Sequence, residues 1–168
     1  MLSGLIALAL ASQSGPTAAA RIGEADADRI VALATAGRRD LTRRILRGGR
    51  EILVEDASGG RVASYRLDGR QIVTALRLNS EGCNPFRDRA ALVAEAVRAL
   101  DPGASQRRIR FVLGVLTQNW RPTGSHLSLR IGDYVVAGYR VGVTGCRHDH
   151  LSIELAGPRN LGLLRPPA

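Results

Sequence analysis

The chain reads as a single α+β domain. The expected order is an N-terminal helical segment, a three-stranded meander, one helix and then about four mostly antiparallel strands, giving a single curved sheet with helices on one face. Three observations predict this. Its 168 residues suit one domain. Apolar spacing is helical near the start, changes to period two, returns to helical, and is strand-like thereafter. Helices and strands also come in separate runs rather than strict alternation, which favours antiparallel pairing over a parallel βαβ sheet.

The elements follow in order. From Ala25 to Arg47, Ile30, Leu33, Gly37, Leu41 and Ile45 recur three to four residues apart, which marks one helical face, either continuous or broken near Ala36-Gly37. Gly48-Gly49 ends it. Strands are expected over Glu51–Asp56, Arg61–Leu67 and Gln71–Leu78. Asp68-Gly69 is a hairpin signal, because a type I′ turn needs positive φ at both positions. Asp88 can cap a helix that runs to Leu100, with Leu92, Val93, Ala96, Val97 and Leu100 on one face and Pro102-Gly103 as the stop. Arg108–Thr117 is an apolar run read as a buried strand. His126–Ile131, Tyr134–Val143 and Leu151–Leu155 read as further strands, the second bent at Gly138. Trp120 is expected in a loop, as a lid over the core.

Residues 1–20 have the pattern of a cleaved signal peptide, leaving 21–168 as the domain. Leu5–Ala11 is apolar but shorter than the roughly 20 residues that span a bilayer. A polar breaker and Ala18-Ala19-Ala20 follow, so cleavage is expected after Ala20 or after Ala11. The stretch carries no basic side chain, and a retained apolar N-terminus is the alternative. A periplasmic or secreted protein is therefore expected, with no transmembrane span in the mature chain. Two cysteines, 63 positions apart and outside any Cys-x-x-Cys pair, fit one bridge between Cys83 and Cys146 in an oxidising compartment.

All 24 basic residues are arginine, and the formal net charge is +9. The absence of lysine excludes a Schiff-base lysine and a P-loop. The arginine excess favours anionic partners, because the guanidinium fork binds phosphate and carboxylate bidentately. The densest group is Arg38, Arg39, Arg43, Arg44, Arg47 and Arg50. On a helix Arg39, Arg43 and Arg47 would line one stripe, able to meet an anionic surface or an envelope component. Nucleic acid becomes the leading partner only for a cytosolic chain.

His148-Asp149-His150 is the other concentration of chemistry. Residues two apart in an extended segment point the same way, so His148 and His150 could share an ion with His126. The chain reads as cofactor-free, with zinc the one ion these histidines would admit. No nucleophile elbow or carboxylate acid–base pair stands out. The leading expectation is thus an exported, non-enzymatic domain that binds an anionic partner. A small metal-dependent enzyme and a cytosolic nucleic-acid module are the alternatives.

Overall fold

A computed structural model of the protein describes residues 20–120, 128–143 and 146–156, with the side chains of 141–143 and 146 outside that description. It shows an α+β fold with one curved, unclosed antiparallel sheet and three helices. In chain order the elements are α1 (Glu24–Ala34), β1 (Thr42–Leu46), β2 (Glu51–Glu55), β3 (Arg61–Leu67), β4 (Val73–Asn79), α2 (Arg89–Leu100), α3 (Gln106–Asn119), β5 (Ser128–Ile131), β6 (Tyr134–Val143) and β7 (Cys146–Leu155). The strands lie side by side as β1-β2-β3-β4-β7-β6-β5. Two meanders, β1–β4 and β5–β7, are therefore fused where β4 pairs with β7, and the α2–α3 hairpin bridges them in sequence.

Alternation fixes which face of the sheet is buried. One cross-strand row runs Ile45, Ile52, Tyr65, Leu76, Ile153, Val136, Leu129 from edge to edge. Every member is buried except Ile45, which is 64% exposed on edge strand β1, beyond the reach of the helices. Against this row pack Ala27, Ile30 and Val31 of α1, Leu92, Val93, Ala96 and Val97 of α2, and Ile109, Val112 and Leu116 of α3. All three helices share this face. Gly138 lies in it, and a side chain there would press on Leu116 and Trp120 of the α3 end.

The first helix is shorter than its periodicity implies. α1 starts with Asp26 accepting the Gly23 amide at 3.2 Å, and Glu24 and Asp26 suit the positive end of the helix dipole. It stops at Ala34, because Gly37 and Asp40 take left-handed conformations (φ +82° and +60°). Leu41 and Ile45 then belong to the turn into β1 and to β1 itself. The hairpin after β3 also differs from a type I′ turn. Gln71, not Gly69, has positive φ, and Asp68 accepts the amides of Arg70 at 2.8 Å and Ile72 at 3.0 Å.

The largest departure is α3, where a buried strand was expected. Ser105 caps it by accepting the Arg108 amide at 3.2 Å, and Ile109, Val112 and Leu116 are buried at helical spacing. Trp120 closes this helix and is buried, rather than standing in a loop between strands. Asp88 caps α2 as expected, accepting from the Ala91 amide at 2.8 Å. His148 and His150 lie inside β7 rather than in a loop before it.

The expected disulfide is not shown among the described residues. Only one cysteine side chain is described, the exposed Cys83 after β4, so no pair of sulfur atoms stands together among the described residues. Cys146 contributes only its backbone, at the start of β7. The union of the two halves is instead accounted for by the β4–β7 ladder, which pairs Ala75 with Glu154 through Asn79 with His150.

Candidate functional site

The expected arginine stripe does not form, because its residues are not on a helix. Arg38 and Arg39 sit in the turn after α1, and Arg43 and Arg44 point to opposite faces of β1. Arg47 and Arg50 flank the β1–β2 turn. Most are neutralised within the protein. Arg43 contacts Asp28 at 3.2 Å and Glu24 at 3.3 Å and donates to the Tyr65 hydroxyl at 2.8 Å. Arg44 meets Glu55 at 3.3 Å, and Arg47 meets Glu51 at 3.0 Å. Exposed Arg39 and Arg50 have no carboxylate partner among the described residues. Surface pairs of this kind add little stability, but they remove the stripe as a docking face.

Arg38 has a different environment. Its side chain is 9% exposed and donates to Asp56 at 3.2 Å. Asp56 is itself held by the Ser58 hydroxyl at 2.6 Å and the Gly60 amide at 2.8 Å, which keep its carboxyl below the ordinary range. A fixed carboxylate thus fixes Arg38 in the lining of a cleft of about 400 Å³. One wall is the end of α1 and its turn, including Ala34, Gly37 and Arg38. The other is the segment from Glu81 to Arg87. Exposed Arg87 has no ion pair among the described residues, and the end of its side chain lies against Gly37. Glycine at 37 suits the left-handed backbone of this turn.

The second wall is anchored by a buried carboxylate that the sequence did not single out as structural. Asp149 is fully buried on the helix-facing side of β7. Its Oδ2 accepts from Arg89 Nε at 2.9 Å, Arg89 Nη2 at 2.6 Å and the Phe86 amide at 3.3 Å. Its Oδ1 accepts from Arg140 Nε at 3.0 Å. The Ser80 hydroxyl accepts the Asp149 amide at 2.8 Å and donates to the Asn84 carbonyl. Arg89 also lies over the Trp120 ring, 5.0 Å from its centre, and the Trp120 indole donates to the His150 carbonyl at 2.9 Å. A buried charge persists when it is paired and hydrogen-bonded on every side. Here one carboxylate ties β7, β6, α2 and the 84–86 wall together.

His148 and His150 converge, and Asp149 between them points the opposite way, as alternation requires. Both histidines face the side of the sheet away from the helices, with ring centres 4.8 Å apart. His126, the expected third ligand, lies outside the described residues, and no group of three or more metal-type side chains occurs among those described. No helix among the described residues is long and apolar enough to cross a membrane. No protein-family model matches the chain, and no curated protein or solved structure matches it either.

Proposed function

We propose that this protein is a non-enzymatic binding domain that takes a phosphate or carboxylate group of an envelope partner into the cleft between Gly37 and Arg87, and that it works outside the cytoplasm. One observation carries the reading: a cleft with immobilised Arg38 at one wall and Arg87, unpaired with any described carboxylate, at the other. A concave site with few convergent polar groups is where a ligand group is best desolvated. An arginine held in advance loses little freedom on binding, so more of its hydrogen-bond energy appears as affinity. The formal charge of +9 draws anions towards it. The signal-like N-terminus supports the location. The nucleic-acid alternative, tied to a cytosolic chain and centred on Arg38 to Arg50, has less free charge to draw on, because Arg38, Arg43, Arg44 and Arg47 pair with carboxylates of the protein itself.

The test is binding of the mature protein to phosphatidylglycerol vesicles, with phosphatidylcholine vesicles as reference. Binding to the anionic vesicles alone is expected at low salt, lost near 1 M salt where the screening length is about 3 Å, and weakened at least about tenfold by Arg87→Gln, or roughly 1.4 kcal/mol. Equal binding to both lipids, or an Arg87→Gln variant that binds like the parent, would overturn it.

A further inference from the structure

The side of the sheet away from the helices carries a cluster that the cleft does not use. His148 and His150 stand two positions apart on β7, which is an interior strand. At His150 it is paired with Asn79 of β4 on one side and with Tyr139 of β6 on the other. The Tyr139 ring stacks on His150 with centres 4.9 Å apart and planes within 5°. That stack and the two ladders hold the His150 ring in place. The His148 ring lies next to it, centres 4.8 Å apart and tilted 45°. Both side chains remain partly exposed, so solvent and ions reach them. Arg77, on the same face, is occupied by Glu154 at 2.9 Å.

Neutral imidazole is the commonest protein ligand for borderline transition metals. An ion bound about 2 Å from one nitrogen of each ring is compatible with rings this close. With two ligands on a rigid strand, little side-chain freedom is lost on chelation. We propose that His148 and His150 bind one divalent transition-metal ion, Cu²⁺ ahead of Zn²⁺, leaving the remaining coordination positions to water or an external ligand. The order follows the general rise of affinity to copper for nitrogen ligands. This site is on the opposite face from the cleft, so it stands or falls separately from the anion reading.

The experiment is a titration of the untagged mature chain with Cu²⁺ and then Zn²⁺ in a non-coordinating buffer, followed by electron paramagnetic resonance of the copper adduct. One equivalent of Cu²⁺ with two imidazole nitrogens is expected, with Zn²⁺ binding more weakly. His148→Ala should weaken Cu²⁺ by at least about tenfold and leave one imidazole nitrogen in the spectrum. His148→Asn, which keeps a polar side chain at a partly exposed position, should do the same while circular dichroism and thermal melting stay at the parent values. Absence of saturable binding of either ion, or His148 variants with the parent affinity and spectrum, would overturn the site.

Discussion

Asp149 is the residue on which the local chemistry turns. Removing its charge by Asp149→Asn leaves Arg89 and Arg140 without their common partner. Both guanidiniums are about a quarter exposed (27% and 21%), so water recovers part of their solvation. The expected loss is still about 3 kcal/mol, read from urea unfolding, because a broken buried pair strands charge in a poorly solvated site. The same variant should weaken anion binding in the cleft, since one remaining carbonyl oxygen must serve the Phe86 amide, Arg89 and Arg140, which two carboxylate oxygens served before. At His150 the sign of the pH effect is set by its depressed value, near 4 folded against about 6.5 unfolded. Between those values the unfolded chain binds the extra proton, so stability falls as the pH drops from about 6.5 to about 4. Its contribution is on the order of 1–2 kcal/mol after screening by solvent. His150→Asn should flatten the unfolding profile across that window, and an unchanged profile would refute the assignment.

At the scale of elements, α3 shows what was legible and what was not. The spacing of Ile109, Val112 and Leu116 is helical, and Ser105 is a capping residue three positions before the Arg108 amide. The signal was present, but the short apolar stretch from Phe111 to Leu116 imitates a buried strand, and period alone separates the two poorly over such a length. Gly114, exposed with open space around it, is a direct check. Gly114→Ala should stabilise the protein by roughly 0.8–1 kcal/mol if α3 is a helix, measured by thermal unfolding. By contrast Gly138→Ala pushes into Leu116 and Trp120 and should destabilise by about 1–3 kcal/mol. The converse error occurred at β1. Leu41 and Ile45 fit a helical period as well as a strand, and two left-handed residues, of which only Gly37 advertises itself, decide the matter. α2 was legible to its cap because Asp88 and its five apolar positions agree with each other.

At the scale of the whole molecule, the sequence revealed the class but not the fusion of two meanders through β4 and β7. That pairing joins residues more than 70 positions apart, and no local pattern encodes it. The cleft was illegible for the same reason: the turn after α1 and the 81–87 segment meet only because the Ser80 and Asp149 contacts fold that segment against the end of the sheet. Arg38 was visible as part of a basic group, but Arg43, Arg44 and Arg47 of that group proved to be in internal ion pairs, and Arg87 drew no notice because nothing near it in sequence marks it. We propose that the cleft receives an anionic group. A ¹H–¹⁵N NMR titration of the folded chain with inorganic phosphate tests it most directly. Saturable shifts concentrated on residues 34–38 and 81–87, and abolished by Arg87→Gln, are predicted. Shifts centred instead on the exposed Arg107 and Arg110 of α3, or a linear drift over the whole surface, would contradict it.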